Sequence, residues 1–266
     1  MRKLSRKYFA GMAAFVLSCA LLAATAARAD EIKVVTSGAF SAAYLKLAPQ
    51  YERATHNQIV TEFGPSMGTT HNAIPLRLAR GERIDVVIMA APALAGLIRQ
   101  GKVRAGSRVD LVESHIGMAV KAGAPRPDIS TVEALKRTLL AAKSIGYSDS
   151  ASGVYLSTVL FPKLGIVNQI QGKARKIEAD PVGGAVAKGE VEIGFQQISE
   201  LRPVKGIDIV GELPPGAQHV TVFAAGIPQT ATHPKAARAF IQWLASPAAY
   251  AVIRKSGLTP AHTAGN

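Results

Sequence analysis

The sequence predicts an α/β protein built from two similar lobes. Apolar runs rich in β-branched residues alternate with segments whose apolar residues recur at helical spacing, a pattern typical of parallel sheets covered by helices. The alternation occurs both before and after an apolar run at 115–123, so we expect one sheet on each side of that run. The length of 266 residues allows this organisation with a sizeable core.

The first half of the chain predicts three strands, each followed by a helix. In the first helix Ala43, Leu47, Tyr51 and Ala54 recur at helical spacing, and Gly101 closes the third helix. The predicted strands cover 31–37, 58–63 and 83–90, and the predicted helices cover 40–55, 72 to about 81, and 91–101.

The second half continues the alternation after the strand at 115–123. The next helix is predicted over 128–145, with Ser130 as its N-cap and Glu133 completing a capping box. Near the end of the chain, Pro247 divides an apolar helical segment into two predicted helices. Between these points the sequence predicts strand, turn and helix over 144–166, further alternation over 172–179, 183–197 and 205–214, and a strand at 219–228.

The alternation also predicts how the chain divides. We expect a first lobe of residues 30–118 and 221–266, a second lobe of residues 122–217, and hinge crossovers at 119–121 and 218–220. In such sheets ligands bind beyond the carboxyl ends of the strands, and a cleft between two lobes is a common site.

The first 29 residues predict a secretory signal peptide, removed on export. A positively charged start precedes an apolar run, and Ala27 and Ala29 form a cleavage pattern before Asp30. A lipoprotein signal ending at Cys19 is the alternative. The apolar run is short for a membrane span, and no other stretch is long enough to be one, so we do not expect a membrane-embedded protein.

The composition favours an anionic partner and gives no sign of a metal or cofactor. Cleavage after Ala29 leaves 26 basic and 18 acidic residues, a net charge of +8. The basic residues are scattered singly and aromatic residues are few, so nucleic-acid binding is not expected. The only cysteine, Cys19, is lost with the signal peptide, and no H-E-x-x-H, P-loop or dinucleotide-binding motif is present.

Three polar loops each follow a strand and precede a helix: Thr36 to Ser41, Gly64 to His71, and Ser148 to Tyr155. Free N–H groups and the positive end of the dipole make a helix N-terminus suitable for an anion, and Ser and Thr hydroxyls add donors. Each loop taken alone is better explained as ordinary capping. Three such loops around one cleft predict a site for a small anion.

The chain resembles the periplasmic solute-binding proteins of ABC transporters, within the molybdate-binding-protein-like branch. The resemblance is carried by IKVVTSGAFSAAYLKLAPQYERATHNQI, GERIDVVIMAAPALAGLIRQG and SDSASGVYLSTVLFPKLGI. It implies a type 2 periplasmic binding fold, a monomer in the periplasm, and delivery of a solute to an ABC transporter permease. The same branch includes enzymes that isomerise aconitate, which require no cofactor or metal.

The expected ligand differs from molybdate. The serine that contacts the oxyanion in that branch aligns with Ala39 here, and its late tyrosine aligns with Gln197. The second loop is also longer than in the molybdate pattern. These departures favour an organic polycarboxylate captured for transport, with aconitate isomerisation as the alternative.

The residues expected at the site come from the three loops and from the ends of neighbouring strands. If the protein is an enzyme, His115, His71 or Tyr155 is the expected general base. Glu200 is expected to cap a helix or to form a pair at the surface. The expected ligand contacts are Ser37, Phe40, Ser66, Met67, Gly68, Thr69, Ala90, His115, Ser150, Ser152, Gly153 and Gln197.

Overall fold

The computed structural model describes residues 30–178 and 180–261. The predicted signal peptide and Cys19 lie outside the described residues. The described residues from Glu31 onward form one compact unit. Among the described residues, no helix combines the length and the apolar character needed to cross a membrane.

The first part of this unit alternates strands and helices as predicted, and it adds a strand that the sequence analysis did not predict, β4. The helix expected from residue 72 begins only at Ile74. The elements are β1 (Glu31–Thr36), α1 (Gly38–Thr55), β2 (Gln58–Phe63), α2 (Ile74–Ala79), β3 (Val86–Ala90), α3 (Ala91–Arg99) and β4 (Val109–Ser114).

The second part continues the alternation with shorter helices. Thr131, and not Ser130, is the N-cap of the helix that follows β5, because its side chain accepts a hydrogen bond from the N–H of Ala134. A π-helical turn, Leu156–Leu160, separates α5 from α6. The elements are β5 (Ile116–Lys121), α4 (Val132–Ala141), β6 (Ile145–Ser148), α5 (Ala151–Tyr155), α6 (Phe161–Lys163), α7 (Val167–Ile170), β7 (Ala174–Ile177), α8 (Val182–Lys188), β8 (Ile193–Gln197), α9 (Ile198–Leu201), β9 (Ile207–Glu212), β10 (Thr221–Gly226), α10 (Pro234–Leu244), α11 (Pro247–Lys255) and β11 (Thr259–Pro260).

The strands form two mixed sheets. The first has the order β11-β4-β10-β3-β1-β2 and the second has the order β7-β6-β8-β5-β9. The chain leaves the first sheet after Ser114, enters the second at Ile116, and returns between Glu212 and Thr221. The lobe boundaries and hinge crossovers expected at 119–121 and 218–220 stay predictions.

Each sheet is covered by helices that bury its apolar strands. In the first sheet every residue of β3 is buried, as expected for a central strand with helices on both faces. One face packs against Phe40, Tyr44 and Phe240 from α1 and α10. The second sheet has its own core, which includes Phe195 of β8.

Candidate functional site

The carboxyl ends of the parallel strands bring the predicted loops to one region. In the first sheet β1 ends at Thr36 and β3 ends at Ala90, and in the second sheet β6 ends at Ser148 and β8 at Gln197. Both passages of the chain between the sheets also lie at these edges. Loops after the strands of one sheet therefore meet loops after the strands of the other.

Three contacts join the two sets of loops. The hydroxyl of Ser199 in α9 donates to the carbonyl of Ala39 in α1 at 2.7 Å. The side-chain amide of Gln197 donates to the hydroxyl of Thr221 at 3.3 Å. A Cβ placed on Gly68 would lie 3.5 Å from the carbonyl oxygen of Asp149, so the second loop touches the third. Gly68 has φ +102°, a conformation that favours glycine.

A cavity of about 450 Å³ lies where these loops meet. Its walls come from elements of both sheets, including the first turn of α1, the loop after β2, the turn after β6 and the start of α8. Among the described residues that line it, all the charged side chains are carboxylates: Asp149, Asp180 and Glu200. The other polar groups are hydroxyls, side-chain amides and backbone.

The carboxyl group of Glu200 is the most perturbed acid in the cavity. Burial raises the pKa of Glu200 to about 7; the hydrogen bond from Gln196 opposes this rise and the charge of Asp149 adds to it. Gln196 also accepts a hydrogen bond from the N–H of Val182 at 2.9 Å, which fixes the orientation of its amide. Glu200 keeps part of its surface open toward the cavity.

Gly38, the first residue of α1, makes room for this carboxyl group. A Cβ at Gly38 would overlap Oε1 of Glu200 far inside van der Waals contact. The expectation that Glu200 caps or pairs at the surface is therefore wrong, because α9 packs against α1 and turns the side chain inward.

Of the residues expected in the first loop and its surroundings, Ser37 is the most notable. It is 1% exposed and occupies the N-cap position of α1, but its hydroxyl makes no capping hydrogen bond and has no partner among the described residues. Phe40 lies in the core against Tyr44. Ser66 is fully buried and accepts a hydrogen bond from the N–H of Ala90 at 2.9 Å. The second loop is thereby tied to the end of β3.

The remaining expected contacts lie around the same loops. Met67 is half-buried against the first core, and Thr69 is exposed. Gln197 is 2% exposed, and its Oε1 has no partner among the described residues.

In the third loop, Ser150 lines the cavity and Ser152 and Gly153 are buried behind it. The hydroxyls of Ser148 and Ser152 are 3.0 Å apart. The N–H of Gly153 donates to the hydroxyl of Ser148 at 3.3 Å, and the backbone is too close here for any side chain at Gly153.

The three side chains expected as general base lie elsewhere. Nδ1 of His115 is 2.6 Å from a carboxylate oxygen of Glu212. His71 is exposed in the second loop. Tyr155 donates to the carbonyl of Ala217 at 3.1 Å, and burial raises its pKa. None of the three is among the described residues that line the cavity.

The acids of the cavity are what the sequence analysis missed. Asp149 and Asp180 lie in turns before short helices, where an acidic residue is usually a cap. Glu200 lies in the first turn of α9. The signal that could have pointed to Asp149 is its place inside the third loop. Among the described residues, no group of three or more potential ligands is arranged to hold a metal ion.

The fold and this interlobe cavity define a solute-binding protein. The chain matches the family model of bacterial extracellular solute-binding proteins over residues 32–259 and belongs to that family. The predicted family and the predicted α/β fold are thus confirmed.

One relative is similar in sequence along nearly the whole chain, and two solved structures are similar in fold. Aconitate isomerase of a Pseudomonas species is 47% identical over 256 residues, covering 95% of this chain and 98% of the relative. The periplasmic molybdate-binding protein of Azotobacter vinelandii has a similar fold, with TM-score 0.67 and 22% identity over 86% of this chain and 98% of that chain. The sulfate-binding protein SubI of Mycobacterium tuberculosis H37Rv is similar in fold, with TM-score 0.69 and 17% identity over 88% of each chain.

Proposed function

We propose that this protein is an aconitate isomerase that interconverts cis- and trans-aconitate in the interlobe cavity. The observation that carries the proposal is the 47% identity to an aconitate isomerase along nearly the whole of both chains. Sequence analysis favours transport first and isomerisation second, and this relative reverses that order. The reaction moves a double bond and needs no cofactor.

The walls of the cavity suit an organic ligand that has both carboxylate groups and an apolar carbon skeleton. Leu45 and Phe63 give the cavity an apolar side, and both are unusually exposed for large apolar side chains. Donors come from the start of α1, from the hydroxyl of Ser150 and from the amide of Asn72. A volume of about 450 Å³ accommodates a six-carbon tricarboxylate.

Capture of a polycarboxylate for an ABC transporter is the second candidate, and membership of the solute-binding family favours it. We also propose, for either function, that residues 1–29 direct export to the periplasm and are cleaved after Ala29. A permease would then be the partner for the transport function.

The test uses purified mature protein, residues 30–266. A thermal-shift screen with molybdate, tungstate, sulfate, citrate and both aconitates identifies the ligand class, and proton NMR follows interconversion of the aconitates. We expect stabilisation by tricarboxylates together with turnover. Stabilisation by molybdate alone would reject an organic ligand. Tight tricarboxylate binding without turnover would reject the isomerase and support transport.

A further inference from the structure

The proposed isomerisation requires a group that exchanges protons with carbon. A base must take a proton from the methylene carbon of aconitate, so that a C–H bond breaks and its electron pair enters the π system. The double bond then moves by one carbon, and a proton returns to the former vinylic carbon. One C–H bond is lost and one is formed, no electron acceptor is needed, and a single carboxyl group can perform both transfers.

We propose that the carboxyl group of Glu200 is this proton carrier, an inference that rests on the proposed function. Glu200 lines the cavity from α9, opposite the first turn of α1. The neighbouring Ser199 anchors α9 to the carbonyl of Ala39 at 2.7 Å, which holds the acid against the cavity. The other candidates for the base, His115, His71 and Tyr155, do not line the cavity. Nδ1 of His115 lies against a carboxylate oxygen of Glu212, and Tyr155 donates to the carbonyl of Ala217.

The surroundings of Glu200 allow both protonation states near neutral pH. Burial and the nearby charge of Asp149 favour the neutral acid, while the amide of Gln196 favours the carboxylate. The positive end of α1, an 18-residue helix, favours the carboxylate as well. Asp149 and Asp180 are the other titratable groups among the described residues that line the cavity. A proton carrier works best when its pKa lies near the working pH, and the balance here gives that condition.

The groups around Glu200 suit the charge that develops during the transfer. Removal of the methylene proton places negative charge on the substrate carbons and the attached carboxylates. The start of α1 and the hydroxyl of Ser150 line the cavity, and the Glu200 carboxyl lies against Gly38 at that start. Donors fixed in advance near the reacting carbon stabilise such charge without reorganisation.

The test compares wild type with Glu200→Gln and Glu200→Asp, using Glu190→Gln as a matched control. Glu190 has a half-exposed side chain near Arg175 and lies outside the cavity lining. Turnover is measured by proton NMR, and deuterium incorporation into aconitate in D2O reports the proton transfer itself. We expect Glu200→Gln to lower kcat by about 10²–10⁴-fold with little change in KM. Glu200→Asp should retain an intermediate rate, because the acid is kept but is shorter.

A pH profile separates a proton carrier from a merely structural residue. In wild type kcat/KM should rise as pH passes about 7, where Glu200 becomes the carboxylate that accepts the proton. That rise should be absent from the residual activity of Glu200→Gln.

The outcomes separate the role of Glu200 from the proposed function. Wild-type turnover together with a Glu200→Gln rate inside the scatter of Glu190→Gln would overturn the role of Glu200 and leave the proposed function standing. Loss of activity in Glu200→Gln with unchanged deuterium incorporation would also overturn it. Absence of turnover and of deuterium incorporation in wild type would overturn the proposed function, and the role of Glu200 with it.

Discussion

Replacing Glu200 by Gln should change how the stability of the protein depends on pH. The pKa of Glu200 is raised from its ordinary value of 4.5 to about 7 in the folded state. The folded protein therefore binds more protons than the unfolded chain between these values. The stability that this carboxyl contributes is fully present below pH 4.5 and is lost as pH rises through about 7.

The magnitude follows from the size of the rise. One pKa unit corresponds to about 1.4 kcal/mol, so the rise from 4.5 to about 7 is worth at most about 3.5 kcal/mol of unfolding free energy. Gln has nearly the same shape and cannot ionise. The variant therefore avoids the free-energy cost of ionising a buried carboxyl at high pH. Relative to wild type, Glu200→Gln should gain roughly 2–3 kcal/mol between pH 5 and pH 8.

Urea denaturation at several pH values from 5 to 8 measures this difference. Trp243 is the only tryptophan in the chain and packs against Tyr51 in the core of the first sheet, so its fluorescence reports unfolding. The Glu190→Gln variant should follow wild type at every pH. A difference between wild type and Glu200→Gln that stays constant across this range would refute the raised pKa and the enclosed carboxyl on which it depends.

Three further changes test neighbouring parts of the structure. Gly38→Ala places a Cβ against Oε1 of Glu200 and should therefore lower kcat. Because Ala favours a helix over Gly by up to about 1 kcal/mol, Tm should change little. An unchanged kcat would contradict the contact between residue 38 and the Glu200 carboxyl. Ser66→Ala leaves the buried N–H of Ala90 without its acceptor. The variant should lose about 1–3 kcal/mol of unfolding free energy, measured by urea denaturation. It should also bind tricarboxylates more weakly, measured by thermal shift. Hydrogen bonds from Arg77, followed by those from Lys33, lower the pKa of Glu82 to about 2, so Glu82→Gln should lose about 1–2 kcal/mol at pH 7. That loss should disappear as pH falls from 4.5 toward 2, and a loss that persists in acid would argue against the ion pairs.

The order of strands and helices could be predicted because each apolar run is bounded by polar loops. One exception is β4, in which Asp110 and Glu113 interrupt the apolar residues. Leu111 and Val112 are nevertheless buried, because β10 and the short β11 pair with β4 on its two sides. Pairing partners distant in sequence therefore define this strand, and a local pattern cannot reveal them.

The second loop extends two residues further than predicted, and the helix after it begins at Ile74 instead of residue 72. Contacts between the two ends of the loop are the reason. Its first and last residues close on each other: a Cβ on Gly64 would overlap the carbonyl of Asn72, and the N–H of Ile74 donates to the carbonyl of Pro65 at 3.1 Å. These contacts keep residues up to Ala73 out of the helix, although Asn72 and Ala73 fit a helical pattern. The sequence indicated a polar loop at this position but could not indicate how the loop closes.

The charge of the cavity bears on the choice between transport and turnover. Among the described residues that line it, the charged side chains are carboxylates, so Coulombic attraction to side chains cannot hold a tricarboxylate there. The N-terminus of α1 and the hydroxyls of the wall must supply the attraction. A protein that only captures an anion does not need a proton acceptor beside its ligand. An enzyme whose chemical step is a proton transfer does need one, because a carboxylate must accept the methylene proton and return it to carbon. This difference favours isomerisation over transport, and it concentrates the distinction in Glu200, the carboxyl group at the cavity whose pKa burial raises to about 7.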